Sequence, residues 1–349
     1  VHRRDKPPSR AIGSSLSPMR APADDIAAMA APDDANPPPT GAGLRRRLIE
    51  GLAAIATRPD FRSLLAYGYS SGTDTDRAAG AAWLHPLLPD LPFERVLVCA
   101  GAQNSLMALL ATYVKPGELV LCEELTFPGF LTLARQFGVR VKGIAMDGEG
   151  LLPDALDDAC AGDRAKALYC IPTIHNPTTA TMSPARRAAV AEVARKHGLM
   201  VFEDDAYGFL PTARLPPLVT FIPEAGFYAA TLAKCLMPGL RVAYLVAPAR
   251  SHSLRMAATL QATTTMAPPP MVALATQWIG DGTAYRIVAA IGRENAARQR
   301  VAQSQFEPGT IAAHPCGQHA WLRLAAGKNA GAIAALRSEE QTSELQSLR

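Results

Sequence analysis

KALYCIPTIHNPTTATMSPARRAAVAEVARKHGLMVFEDD, residues 166–205 of a 349-residue chain, decides the fold. It opens on Lys166–Ile171 and closes on Leu199–Glu203, two short runs that are apolar without alternation. Strands buried on both faces of a sheet read this way. Between them Pro184–His197 carries a helical pattern. Strand, helix and strand in this order argue for an α/β domain with a largely parallel sheet.

The same alternation continues outward in both directions. Further strands are expected at Arg95–Cys99, Leu119–Cys122, Arg140–Ala145, Phe227–Thr231 and Arg241–Val246, and further helices at Gln103–Val114 and Thr126–Phe137. Ser251 to Gln305 reads as mostly helical, broken at Ala267–Pro270. Composition fits a globular chain: 48% of residues are apolar, and 35 Lys and Arg face 31 Asp and Glu, a net charge of +4. A charge this mild on this length gives no support to nucleic-acid binding by the chain itself. No apolar run reaches the roughly 18 residues a membrane helix needs. The six cysteines form no C-x-x-C pair, so a zinc or thioredoxin-like reading has no footing. No signal-peptide pattern occupies Val1–Arg20, and a reducing cytoplasm is the expected compartment.

Ligands of such sheets sit beyond the carboxyl ends of the strands, so the residues just after each strand carry the functional reading. Gly101-Ala102-Gln103-Asn104 opens a helix after the first strand. Small residues and helix-start amides suit an anion, although an ordinary capped turn needs the same residues. Asn176, in Ile174-His175-Asn176-Pro177, marks a turn, and His175 reads as a solvated loop residue. Glu203-Asp204-Asp205 follows an apolar run directly. Acids there are costly if buried, and a solvated loop accounts for only two of them. A metal reading lacks a histidine or a second carboxylate cluster. Lys234 is the one lysine of seven set in an apolar stretch, Ala-Lys-Cys-Leu-Met. Desolvation would make it a nucleophile able to form Schiff bases, while a snorkelling surface lysine is the plainer alternative. Taken together, a phosphate cradle, an Asn, an Asp with a nearby Tyr, a Lys and an Arg are what a pyridoxal 5′-phosphate site requires.

At these residues the sequence resembles the aminotransferase class I/II family, the fold-type-I pyridoxal-phosphate enzymes, and most of all the aminotransferase-like domain of MocR-type regulators of the GntR family. The likeness rests on Cys99-Ala-Gly-Ala-Gln-Asn104, Glu124-Leu-Thr-Phe-Pro-Gly129, Pro172–Ser183, Glu203-Asp-Asp-Ala-Tyr-Gly-Phe-Leu210 and Ala233–Pro248, within a span from about Asn36 to Leu324. It implies a large domain with a mostly parallel seven-stranded sheet flanked by helices, and a small C-terminal α/β domain. It implies that Lys234 forms the internal aldimine and then moves protons. Asp204 would pair with the pyridinium nitrogen, Tyr207 and Asn176 would hold the phenolic oxygen, and Phe127 would stack on the ring. Ala102, Gln103, Thr231 and Arg241 would form the phosphate cup. Tyr67 matches a tyrosine that reaches the phosphate of the partner subunit, implying a homodimer. Two positions depart from the pattern: Ala233 stands where a hydroxyl is usual, and Phe127 where a tyrosine is.

The resemblance also implies an organisation. Residues 1–40 read as a Pro-rich linker or tail, 41–90 as the N-terminal helical segment, 91–250 as the cofactor-binding domain, and 251–336 as a helical return with the start of a truncated small domain. The tail RSEEQTSELQSLR, residues 337–349, contains no Ala, Gly, Val or Pro and resembles a translated sequencing adapter, so it is expected to be non-native. Two functions compete: amino-group transfer between an amino acid and a 2-oxo acid, or a sensor domain of a regulator that meets DNA only through a winged helix-turn-helix not contained in this chain.

Overall fold

A computed structural model describes residues 42–322. The segment 1–40, the tail 337–349 and the 323–336 part of the expected small domain lie outside the described residues. In chain order the elements are α1 (Ala42–Ala56), α2 (Asp74–Leu84), β1 (Val96–Cys99), α3 (Ala102–Tyr113), β2 (Leu119–Glu123), α4 (Pro128–Gln136) and β3 (Arg140–Ile144). There follow β4 (Met146–Asp147), β5 (Gly150–Leu151), α5 (Pro153–Gly162), β6 (Ala165–Cys170), α6 (Pro184–Lys196), β7 (Met200–Asp205), β8 (Gly226–Thr231) and β9 (Ala243–Val246). The chain then runs through α7 (Arg250–Thr263), α8 (Pro269–Gly280), α9 (Thr283–Ser304), β10 (Ile311–Ala313) and β11 (Ala320–Leu322).

All the expected strands form, to within a residue or two at their ends, and they make one seven-stranded sheet in the order β1-β9-β8-β7-β6-β2-β3. β3, β2, β6, β7 and β8 are parallel. β9 is antiparallel to both β8 and β1, so β1 again points the way of β8. The carboxyl ends of every strand except β9 therefore share one edge. β9 starts later than its apolar run suggests because Arg241 adopts a left-handed conformation, φ 51° and ψ 45°, and ends the preceding turn.

Side-chain alternation along the strands sends neighbours to opposite faces. Val96 and Val98 pack with Leu274 and Trp278 of α8 and Ile287 of α9. Leu97 and Cys99 pack on the other side with Leu106 and Leu109 of α3 and Leu260 of α7. Leu168, Cys170 and Val201 meet Leu156 of α5 and Val190 of α6. Both faces are covered, which is why the strands read as unbroken apolar runs. The long helical stretch breaks where expected, at Pro269, and again at Gly282, whose φ of +76° ends one helix before the next begins. No helix among the described residues is long and apolar enough to cross a membrane.

α2 starts on a capping box: the Thr73 hydroxyl accepts from the Asp76 amide, and the Asp76 carboxylate accepts from the Thr73 amide. The helix then packs against β1 and α8, and Gly80 faces the buried ring of Tyr244 on β9. A Cβ at Gly80 would stand 2.5 Å from Tyr244 Cδ1. Gly80→Ala should therefore lower stability by about 1–3 kcal/mol in urea unfolding, although alanine is the better helix former. A variant as stable as the parent would show that the α2–β9 contact yields freely.

Candidate functional site

The shared edge of the sheet collects the polar residues. After β1 the chain turns at Gly101, φ +91°, into the start of α3. A Cβ at Gly101 would come within 2.6 Å of Arg241 Nη2, so glycine is what lets the guanidinium lie across the helix start. Arg241 Nη2 donates to the Ala100 carbonyl at 3.0 Å. Asn104 holds the same loop, accepting from the Ala100 amide (2.9 Å) and donating to Thr264 at the end of α7 (2.6 Å). The first amides of a helix have no intrahelical acceptor, and a guanidinium beside them makes a site for a dianion. Gln103 Nε2 donates to the Gly129 carbonyl (2.8 Å), joining α3 to the start of α4, where the Phe127 ring lies against Gly129. Thr231, at the end of β8, accepts from the Ala233 amide at 3.2 Å.

The three acids at the end of β7 are all buried, not solvated as the loop reading expects. Each finds its own environment through alternation along the strand. Glu203 accepts from the amides of Leu218 (3.1 Å) and Val219 (2.9 Å) and lies 3.8 Å from Arg187 Nη1. Asp205 accepts from the amides of Tyr207 (3.0 Å) and Gly208 (2.6 Å) and from the Tyr228 hydroxyl (2.5 Å). Both carboxylates are engaged in holding loops. Asp204 points to the other face, where Oδ2 accepts from the Tyr169 hydroxyl at 2.9 Å. Its Oδ1 is buried with no hydrogen-bond partner among the described residues. Burial pushes this carboxyl up to about 6. A buried carboxylate oxygen left open is a costly arrangement unless a donor arrives to meet it.

The loop after β6 is folded inward. His175 is 1% exposed, which corrects its reading as a solvated residue. Its Nδ1 accepts from the Thr178 amide (3.3 Å) and lies 2.9 Å from the Thr178 hydroxyl. Its Nε2 stands 3.9 Å from Glu123 Oε1, and burial depresses the imidazole to about 3, so it stays neutral. Glu123, at the end of β2, is fully buried and accepts from the Ile171 amide at 2.7 Å; burial pushes it up to about 7. Arg187, also buried, donates to the carbonyls of Pro172, Met182 and Pro216 and to the Thr173 hydroxyl. These ties fix the half-buried Asn176, which a cis peptide joins to Pro177.

Lys234 follows β8 and is half-buried, and desolvation lowers its pKa. Its carbonyl accepts from Gln318 Nε2 at 2.7 Å. The Tyr207 ring, buried, lies 5.5 Å between centroids from His319. Of the residues singled out from sequence, Asp204 and Thr231 lie in the last residues of their strands, and Ala102, Gln103, Phe127, Asn176, Tyr207, Lys234 and Arg241 lie in the turns and helix starts beyond the same edge. Tyr67 differs: it is 90% exposed. Glu123, Tyr169, Arg187, Gln318 and His319 escaped the sequence reading. Their roles depend on contacts across the fold, and only the burial of Glu123 at a strand end left a local trace.

The sequence pattern described as aminotransferase class I and II matches residues 34–305. A protein of Bacillus subtilis, the uncharacterized HTH-type transcriptional regulator YdeF, is 32% identical over 201 residues, 58% of this chain and 44% of that protein. The 2-aminoadipate transaminase of Thermus thermophilus is also 32% identical over 201 residues, 56% of this chain and 49% of the relative. The chain thus spans less than half the length of these curated relatives. Among solved structures, LysN, the α-aminoadipate aminotransferase of Thermus thermophilus complexed with N-(5′-phosphopyridoxyl)-L-leucine, superposes with a TM-score of 0.72. That likeness covers 82% of this chain and 75% of LysN at 26% identity. The sheet order, the edge that gathers the polar residues and a sequence match over most of the chain converge: the protein belongs to the aminotransferase class I and II family and has the fold-type-I architecture.

Proposed function

We propose that this chain binds pyridoxal 5′-phosphate and transfers an amino group between an amino acid and a 2-oxo acid. The observation that carries the reading is a half-buried, desolvated Lys234 in the turn after β8, together with the buried Oδ1 of Asp204, without a hydrogen-bond partner among the described residues, at the end of the adjacent β7. The donor set fits the cofactor. The amides at Ala102 and Gln103, with Thr231 and Arg241, would hold its phosphate. Asp204 Oδ1 would accept from the ring nitrogen, Asn176 and Tyr207 would donate to the phenolic oxygen, and Phe127 would cover one ring face. When bound, the cofactor supplies a cationic conjugated ring that takes up the electrons left when a bond at the substrate α-carbon breaks.

The chain's own residues do the rest. Asp204, ionised against a cationic ring nitrogen, keeps that nitrogen protonated, and Tyr169 holds the carboxylate in place. Lys234 would supply the amine that holds the cofactor's aldehyde and would later take up and return a proton at the substrate α-carbon. Its lowered pKa raises the fraction of free amine near neutral pH. Arg241 and the α3 amides would anchor the cofactor's phosphate, which would limit movement of the group held by Lys234. Tyr67, exposed in a single chain, would reach the phosphate held by a second copy in a homodimer.

A sensor domain remains the second reading, favoured by the regulator among the relatives. Turnover separates the two. An enzyme releases oxo acid product from an amino acid and returns to its starting spectrum with a second oxo acid. A sensor holds its ligand without product.

Incubation with pyridoxal 5′-phosphate should give a visible absorbance band that survives desalting. Borohydride should fix the label on the peptide containing Lys234, and Lys234→Ala should lose both. A wild-type chain that takes up no label defeats the reading. A second prediction concerns Asp204 in the cofactor-free chain. Its folded-state value of about 6 lies above the ordinary carboxylate value near 4, so the folded state holds the proton more tightly. The stability this group contributes is full below the unfolded value and is lost as pH rises through about 6. Asp204→Asn removes that loss. The cofactor-free variant should exceed wild type at pH 8 by on the order of 2 kcal/mol in urea unfolding, with the gap narrowing toward pH 4. The same variant should bind cofactor more weakly and lose most turnover. No gain at pH 8 would mean that Oδ1 is not left open in the free chain.

A further inference from the structure

We propose that His319 is a positioning residue of the cofactor site, one that fixes the peptide leading into Asn176 by a hydrogen bond to the His175 carbonyl. The inference deepens the pyridoxal-phosphate reading above and rests on it. His319 Nε2 lies 3.1 Å from the His175 carbonyl oxygen. A carbonyl can only accept, so Nε2 carries the proton. Burial is the main cause that lowers the imidazole pKa, outweighing the hydrogen bond to the His175 carbonyl, which leaves Nε2–H as the single proton of a neutral ring. The His175 carbonyl belongs to the peptide that leads into Asn176. It already accepts from the Thr179 amide at 2.7 Å, and the bond from His319 fills its second lone pair. The plane of that peptide is thereby fixed from two sides. On its other side the imidazole meets the Tyr207 ring at 5.5 Å and an interplanar angle of 43°. One side chain thus touches the neighbours of both groups assigned to the phenolic oxygen.

His319 is itself held firmly. Gln299 Nε2, on α9, donates to the carbonyls of Gly317 (2.9 Å) and His319 (3.0 Å), and Asn295 Nδ2 donates to the Cys316 carbonyl (3.0 Å). Asn295 and Gln299 are both buried. On the opposite side Gln318 Nε2 donates to the Lys234 carbonyl. The segment Cys316–His319 is therefore bolted to α9 behind it and to the lysine and asparagine loops in front. Nothing in this arrangement is needed to close the sheet, whose last strand is β9.

The test uses the full chain loaded with pyridoxal 5′-phosphate. His319→Phe keeps a ring against Tyr207 and removes the donor. His319→Gln keeps an N–H near the position of Nε2. Loss of one positioning hydrogen bond should weaken cofactor binding about three- to tenfold in His319→Phe and shift its visible absorbance maximum, while His319→Gln stays within about twofold of wild type. Should His319→Phe fail to fold, ¹⁵N chemical shifts of the wild-type histidines still decide: the expectation at pH 7.5 is a neutral ring protonated at Nε2. A His319→Phe protein equal to wild type in affinity and spectrum, equal damage in both variants, or a ring protonated at Nδ1 would each overturn the assignment. A wild-type chain that binds no pyridoxal phosphate overturns the site reading itself, an outcome visible before any variant is made.

Discussion

A sheet covered by helices on both faces can present polar groups only at the ends of its strands. That constraint organises this protein. Val96 to Cys99, Ala167 to Cys170, Val201 and Phe202 are all buried, so the chain's natural places for charge are the strand ends and the turns beyond them. Because every strand except β9 points the same way, these turns fall on one edge. Gly101, Asn176, Asp204 and Lys234 come from distant parts of the sequence and meet there as a consequence of topology. A gathering of this kind needs no interaction among the polar side chains in advance. It needs rigid strands and turns tied down individually.

The ties are made with buried charge. Glu203, Asp205, Glu123 and Arg187 each hold backbone groups of a turn, and each would be a liability if a partner were removed. Against that background Asp204 is the exception. It sits among carboxylates whose oxygens all have partners and keeps one oxygen without a hydrogen-bond partner among the described residues. The contrast between Asp204 and its two neighbours separates a group poised for a ligand from groups that keep loops in place.

The sheet was legible because a strand buried on both faces leaves an unbroken local pattern, as in Lys166–Ile171. Lys234 was legible because a lysine within Ala-Lys-Cys-Leu-Met violates that pattern. His175 was misread, and the burial of all three acids left undecided, for a common reason: polarity in a turn looks the same whether the turn faces water or folds beneath its neighbours. The partners that make their burial tolerable, such as Tyr228 for Asp205 and Ile171 for Glu123, lie far away in sequence. His319 was hidden more deeply. It sits beside a strand of only three residues, and its importance arises from a carbonyl 144 positions earlier.

The reversed direction of β9 carries an evolutionary consequence. An antiparallel strand begins where its parallel neighbours end, so the turn from Thr231 to Val242 stays entirely at the functional edge. It carries the lysine early and the arginine late. Its length sets the gap between Lys234 and Arg241, much as the spacing of two jaws sets the grip of a vice. The helical connections between the parallel strands can lengthen on the far side of the sheet without touching that gap. Insertions and deletions should therefore be rare between Thr231 and Val242 and frequent at the opposite edge, where the chain is free to vary without changing what the site can hold.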